Sequence, residues 1–294
     1  MANRARLLAV TAFALSLVLA AGFVHAGWNY LAKRSGGGLV FIWLFTLVSA
    51  VVYAPLAVFI WIWLQPSIGL PQLACICCVI LIHASYFLLL QRGYRAGDFS
   101  LVYPLARGSG PALAMVAAIL FFHERPSVIA ILGGVLVASG VFLLAGASPR
   151  ARVNRKRAVG YGLLTGASIA IYTLVDKLAV SSLLIPPVLL VFTADLGRVL
   201  LLCPLAMRRW GEVCREWNLH RREILAVGAL CPLPYILVLT ALVTTPVSYI
   251  APAREVSILI GAVMGSRWLS EGDSHRRIPA AAAIVMGLVA LAIG

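Results

Sequence analysis

Two stretches of the chain decide its organisation: residues 103–124, YPLARGSGPALAMVAAILFFHE, and residues 249–271, YIAPAREVSILIGAVMGSRWLSE. Arg107 and Glu124 are 17 positions apart, as are Arg254 and Glu271, and both pairs are related by an offset of 147, half of the 294 residues. A repeated spacing at one offset is typical of an internal duplication. The segment 28–33 (WNYLAK) also matches 172–177 (YTLVDK), at an offset of 144. The sequence therefore predicts two related halves.

The composition is that of a membrane protein. Apolar residues make up 62% of the chain and charged residues 12%, whereas soluble domains have about 45–50% and about 25%. The mean hydropathy is +0.99. These values exclude a soluble globular enzyme, a disordered chain and a nucleic-acid-binding domain. The net charge of +14 fits basic residues that flank membrane spans.

Apolar windows of the length needed to cross a bilayer predict ten spans. They are residues 7–31, 39–64, 72–92, 98–122, 127–146, 158–180, 184–206, 223–243, 246–269 and 277–294. A basic linker, 147–157, separates a first five-helix repeat (7–146) from a second (158–294). Because five is odd, the second half enters the membrane inverted. The predicted fold is an all-α integral membrane protein of ten transmembrane helices in two inverted five-helix repeats.

The sequence resembles the drug/metabolite transporter superfamily, in its EamA-like ten-helix group. The motifs that carry the resemblance are HAGWNYLAK (25–33), GDFSLVYPLARGSGP (97–111), ERPS (124–127), YTLVDK (172–177), PARE (252–255) and EG (271–272). The resemblance implies transport, and members are usually drawn with cytoplasmic termini. The charge pattern favours the opposite: the loops after odd-numbered spans hold 17 of the 24 Lys and Arg residues, which places those loops in the cytoplasm and both termini outside. Both orientations stay open.

Polar residues inside the spans are candidates for a transport site, because lipid offers them no partner. Arg107 and Arg254 either bind an anionic substrate group or form structural contacts, for example with Glu255. His83 is interpreted as a packing residue, with a proton relay as the alternative, and Asp195 and Arg198 are expected to neutralise one another. The expected substrate-binding residues are His25, Trp28, Asn29, Tyr86, Tyr103, Arg107, Tyr172, Asp176, Tyr235, Tyr249, Arg254 and Glu255.

The expected function is a secondary transporter of a small metabolite, amino-acid-like, organic-acid-like or phosphonate-like, with efflux by alternating access in a bacterial inner (plasma) membrane. The alternatives are a cationic drug or multidrug exporter, a channel and a membrane-embedded enzyme. We expect no catalytic residue, no cofactor, no metal site and no nucleic-acid partner. The expected partners are the substrate and the lipid bilayer. A proton is the candidate coupling ion, and a homodimer stays open.

Overall fold

The computed structural model describes residues 12–34, 38–96, 99–145, 155–260 and 274–294. Within these ranges the chain is helical and contains no strand. The helices are α1 (Ala12–Arg34), α2 (Leu39–Leu64), α3 (Leu70–Ala96), α4 (Phe99–Phe121), α5 (Val128–Ala145), α6 (Arg155–Ser181), α7 (Pro187–Arg208), α8 (Trp210–Leu230), α9 (Pro232–Thr244), α10 (Val247–Ala253) and α11 (Ser274–Ile293). Glu271 and most of the linker 147–157 lie outside the described residues.

Length and hydropathy suit several of these helices to a bilayer. Seven helical segments in the described ranges are long and apolar enough to cross a membrane, and one of them joins α8 and α9 across Trp210–Thr244. Two further apolar segments, Val128–Leu143 and Ile278–Ile293, are shorter. The fold is therefore all-α, with helices suited to a multi-pass membrane protein.

One polar segment differs from the sequence-based expectation. Residues 207–222 lie between the predicted spans 184–206 and 223–243, and their polar composition predicts a loop. The structure instead has α8 beginning at Trp210, and the backbone of α8 leaves helical geometry at His220, where φ is −125° and ψ is 23°. The segment before His220 mixes charged residues with exposed tryptophans, Trp210 and Trp217. A search for continuous apolar windows misses such a helix, because its apolar residues are interleaved with charge.

Small residues allow the closest helix contacts. A Cβ added to Gly133 of α5 would lie 2.7 Å from the carbonyl oxygen of Gly287 in α11, and a Cβ on Gly287 would lie 2.6 Å from that of Gly133. On α6, a Cβ at Gly166 would collide with Ser109 of α4. Glycines at such positions let helix backbones approach one another, as is common in membrane bundles.

The helix pairs show a regular pattern. Helix α3 packs against α6, while α1 packs against α8 and α9. Helix α2 packs against α7 and α8, and α4 packs against α5, α6 and α10. Helix α5 packs against α11. This arrangement brings α3, α4, α6, α9 and α10 together around the polar residues described below.

The break between α9 and α10 is stabilised at both ends by side chains from elsewhere in the chain, one from α6 and one from the connection between α4 and α5. The ammonium group of Lys177 donates to the carbonyl oxygens of Leu242 (2.6 Å) and Thr245 (3.1 Å) at the end of α9. The two carboxylate oxygens of Glu124 accept from the backbone N–H groups of Val247 and Ser248, each at 2.8 Å, at the start of α10. A cation at a helix C-terminus and an anion at a helix N-terminus are both stabilising, because each has the opposite sign to the partial charge of the helix dipole at that end.

Candidate functional site

The first buried ion pair joins the two halves of the chain. Arg107 of α4 lies with its Nη2 atom 3.2 Å from Oε2 of Glu255, and the two side chains are 9% and 2% exposed. The same nitrogen donates to the hydroxyl of Ser257 at 3.5 Å, and the side chain also hydrogen-bonds to Tyr103. The carboxylate oxygens of Glu255 accept no hydrogen bond from the described residues, so the contact between the two side chains is electrostatic. The charge of Arg107 is thus balanced within the protein.

Arg254 lies where regular helix stops. Helix α10 ends at Ala253, and the N–H groups of Glu255, Ser257 and Ile258 then bond to carbonyl oxygens three residues earlier, at 2.9 to 3.3 Å. Because proline removes a backbone donor, the sequence predicts a kink or unwinding near Pro104, Pro111 and Pro252. The chain includes Pro252 in α10 and leaves regular helix just after it, at residues 254–255. Helix α4, in contrast, continues through Pro104 and Pro111.

The guanidinium of Arg254 contacts an aromatic residue rather than an acid. Its Nη2 atom donates to the hydroxyl of Tyr172 at 3.3 Å, and its Cζ atom lies 5.8 Å from the centre of that ring. Among the described residues, no carboxylate lies within ion-pair distance of Arg254. It is close enough to Arg107 and Glu255 to interact with both electrostatically. A cation that has no carboxylate within ion-pair distance is suited to binding an external anion.

A second buried group surrounds the carboxylate of Asp176 in α6. Its Oδ2 atom accepts a hydrogen bond from the hydroxyl of Tyr235 in α9 and lies 3.4 Å from Nε2 of His83 in α3. The tyrosine hydroxyl is also 3.3 Å from the same imidazole nitrogen. The side chain of Asp176 is 1% exposed. Because Asp176 lies near the end of the predicted span 158–180, the sequence also allows its side chain to extend to the membrane interface; the structure buries it against His83 and Tyr235 instead.

Aromatic rings join the two polar groups. The ring of Tyr172 lies 4.7 Å from that of His83, 5.8 Å from that of Tyr86 and 6.5 Å from that of Tyr235, centre to centre. Tyr172 is 5% exposed. The ring of Tyr172 is therefore buried, and this aromatic surface lies between the guanidinium of Arg254 and the carboxylate of Asp176.

Three of the other expected site residues lie on α1, and only some of them are near the arginines. His25 stacks edge-on against Trp28, with ring centres 5.1 Å apart, and lies within electrostatic range of Arg107 and Arg254. Asn29, by contrast, is exposed, and its amide donates to the backbone carbonyl of His25 at 2.8 Å.

Tyr249 lies apart from this group. Its hydroxyl donates to the carbonyl oxygen of Gly294 at 3.3 Å and accepts from the N–H of Ser127 at 3.4 Å. Its ring is 1% exposed. These contacts give Tyr249 a packing role between helix ends, so the structure does not bring it together with the other expected substrate-binding residues.

Two contacts concern residues outside the expected site. The expected ion pair between Asp195 and Arg198 is present at 3.1 Å, and the hydroxyl of Ser49 donates to Asp195 at 2.5 Å. His83, for which the sequence suggested a packing role with a proton relay as the alternative, belongs to the Asp176 group. Its place between polar residues of its own span, including Tyr86, was the available signal.

No cluster of His, Cys, Asp or Glu suited to a metal ion occurs in the described ranges, and all six cysteines are free.

Comparison with known proteins gives a likeness of fold. No family model matches the chain, and no curated protein matches it. One solved structure, described only as the crystal structure of a protein, superposes with a TM-score of 0.73 at 12% identity. The alignment covers 94% of this chain and 97% of the other. The helical arrangement therefore occurs in a solved protein of similar length.

Proposed function

We propose that the protein is a secondary transporter of a small zwitterionic, amino-acid-like metabolite, which it exports by alternating access. The observation that carries the proposal is the half-buried guanidinium of Arg254, which has no acidic partner within ion-pair distance among the described residues and contacts the aromatic ring of Tyr172. A charge at this depth costs roughly 2.5–3.5 kcal/mol on insertion scales, so its presence indicates a function.

The helix packing supports ten spans in two inverted repeats. If α1 to α5 are the first five spans, α6 and α7 are spans six and seven, α8 and α9 together form span eight, α10 begins span nine and α11 is span ten. The two-fold symmetry of such a repeat relates spans one to five to spans six to ten. It therefore relates the contact between spans three and six to the contact between spans eight and one, and both contacts occur. The pairs two–seven, four–nine and five–ten convert into themselves, and all three occur. Inverted repeats of this kind alternate access around a site between the halves.

The duplication also accounts for the absence of an acidic partner for Arg254 among the described residues. Arg107 pairs with Glu255, which lies one position after Arg254. At the offset of 147, the position equivalent to Glu255 is Gly108, where an added Cβ would lie 2.7 Å from the ring of Phe142. The first half thus offers Arg254 neither an acid nor space for one. The loss of symmetry leaves a guanidinium available for a carboxylate substrate group.

Asp176 supplies the opposite charge. At the offset of 144, its equivalent is Ala32, so this acid is also specific to one half. Its neighbours in the described ranges are a histidine and a tyrosine rather than Lys or Arg. A substrate that carries both a carboxylate and an ammonium group matches the two sites, and the rings of Tyr86, Tyr172 and Tyr235 can contact its apolar part.

A cationic drug exporter is the second candidate. Asp176 and the same aromatic rings favour a hydrophobic cation. The guanidinium of Arg254 opposes one, since like charges repel in a medium of low dielectric constant. The two candidates therefore differ in their dependence on Arg254.

Counterflow in liposomes tests the proposal. Purified protein is reconstituted, and exchange is measured with labelled amino acids and with the cation tetraphenylphosphonium. We expect saturable exchange of an amino acid. The variant Arg254→Gln should weaken it at least about tenfold, because a hydrogen bond to a charged group contributes about 1.5–3 kcal/mol.

Arg198→Gln is the matched control, because Arg198 lies in α7 and already pairs with Asp195. That variant should retain the substrate affinity of the wild type. Exchange of tetraphenylphosphonium alone, unchanged or improved in Arg254→Gln, would favour the drug exporter. Flux that does not saturate would indicate a channel.

A further inference from the structure

The Asp176 group has the composition of a proton-binding site. It combines a carboxylate from α6, an imidazole from α3 and a phenol from α9, and all three meet at one oxygen, Oδ2 of Asp176. The other oxygen, Oδ1, is buried without a hydrogen-bond partner in the described residues. Two proton-accepting groups thus face each other where water has little access.

The charged residues around Asp176 include no permanently charged cation within ion-pair distance of its carboxylate in the described ranges. The titratable and charged residues that interact electrostatically with this group or with its immediate neighbours are Cys75, His83 and Tyr86 on α3, Arg107 on α4, Tyr172 on α6, Asp195 on α7, Tyr235 on α9, and Arg254 and Glu255 beside α10. Among these, Arg107 pairs with Glu255 and Asp195 with Arg198. No Lys or Arg lies within ion-pair distance of Asp176 in the described ranges.

An isolated carboxylate in such a place is costly, because desolvation of a single ion amounts to several kcal/mol. A proton on His83 gives Asp176 a cationic partner at 3.4 Å. Without that proton, Asp176 has no cation within ion-pair distance in the described ranges, because Arg254 contacts Tyr172 instead. Imidazole changes charge in the physiological pH range more readily than other side chains.

We propose that His83, Asp176 and Tyr235 bind one exchangeable proton, which the ammonium group of the substrate displaces. This inference rests on the proposed function and adds its coupling ion. When the ammonium group approaches Asp176, the Nε2–H bond of His83 breaks, and the proton passes to water on the side to which the site is open. The carboxylate then pairs with the ammonium group, so the charge of the site is conserved. Tyr235 keeps its hydrogen bond to Oδ2 and positions the carboxylate.

The exchange has a direction. Each substrate molecule that leaves the cell is replaced at Asp176 by a proton from outside, and the proton enters as the empty site returns. An inward proton gradient therefore drives export. The carboxylate of the substrate binds at Arg254 and takes no part in the exchange, so an anion alone should leave the proton in place.

Proton release on binding tests the inference. Three probes share one apolar body and differ in charge: 2-phenylethylamine (cation), L-phenylalanine (zwitterion) and 3-phenylpropionate (anion). Each is mixed with purified protein in weakly buffered detergent that contains a pH indicator. The cation and the zwitterion should each release about one proton per site, and the anion none. Lowering the pH should weaken binding of the cation by about tenfold per unit where the proton is bound.

Asp176→Asn keeps the shape of the side chain and should abolish proton release, while Asp195→Asn, at an acid that already has an arginine partner, should not. Release that persists in Asp176→Asn overturns the inference. An infrared titration of the protein without probe gives a second measurement, and identical carboxyl and imidazole signals in the wild type, Asp176→Asn and His83→Gln also overturn it. Saturable counterflow that is independent of pH refutes the proton site alone, whereas absence of counterflow refutes the proposed function.

Discussion

Removing either member of the Arg107–Glu255 pair should destabilise the protein, and removing both should restore most of the stability. The side chains are 9% and 2% exposed, with 3.2 Å between Nη2 and Oε2. Two unit charges about 4 Å apart at an effective dielectric constant of about 20 attract by about 4 kcal/mol. Breaking a buried pair costs about 3–5 kcal/mol, because the remaining charge has no partner. We therefore expect Arg107→Leu and Glu255→Leu each to lower the free energy of unfolding by about 3–5 kcal/mol.

The double variant Arg107→Leu/Glu255→Leu should lose far less than the sum of the single variants, because replacing a buried pair by apolar side chains is often neutral. The measurement is denaturant-induced unfolding in mixed micelles, analysed as a double-mutant cycle. The control is the exposed pair Arg209–Glu212, whose atoms are 3.7 Å apart and whose side chains are 51% and 50% exposed. Removing Arg209 should change stability by less than about 1 kcal/mol.

The transport assay separates structure from binding. If Arg107 only balances Glu255, the double variant should still perform counterflow. Additive losses in the cycle, with a coupling energy near zero, would refute the ion-pair argument. If the double variant is stable but no longer binds substrate, Arg107 takes part in substrate binding.

Three further predictions concern the scaffold and its orientation. Glu124→Gln should lower stability by about 0.5–2 kcal/mol, since its carboxylate caps α10 through two backbone N–H groups; thermal unfolding with no shift would contradict this. Gly166→Ala should cost about 1–3 kcal/mol, because its Cβ would collide with Ser109. Gly160→Ala, where an added Cβ meets nothing within 4 Å, is its control and should be neutral or slightly stabilising; equal losses in the two variants would argue against close packing of α4 and α6. A reporter fused after Gly294 should score as external on the charge pattern, whereas cytoplasmic activity would favour the orientation usual in the family that the sequence resembles.

The sequence by itself determined the class of the fold and the positions of the helices. The length of an apolar segment can be read from the sequence alone, and a bilayer requires about 20 apolar residues in succession. The described helices lie largely where apolar windows predict them. The helix before His220 is the exception, because an amphipathic helix is less apolar than a span. Proline was an incomplete guide to the breaks, because the chain leaves regular helix just after Pro252 whereas α4 continues through Pro104 and Pro111.

Only the tertiary structure decided which polar residues share a partner. Arg107 and Arg254 occupy equivalent positions in the repeat, and nothing in the local sequence indicates that Glu255 pairs with the first rather than with its own neighbour. His83 and Asp176 are 93 positions apart, and Tyr235 is 59 positions beyond Asp176. Tyr249 and Tyr172 are both buried aromatic residues in helices, yet one packs between helix ends and the other contacts Arg254. Charge pairing acts through space and depends on which helix faces meet, so a linear pattern can name the candidates but cannot assign their partners.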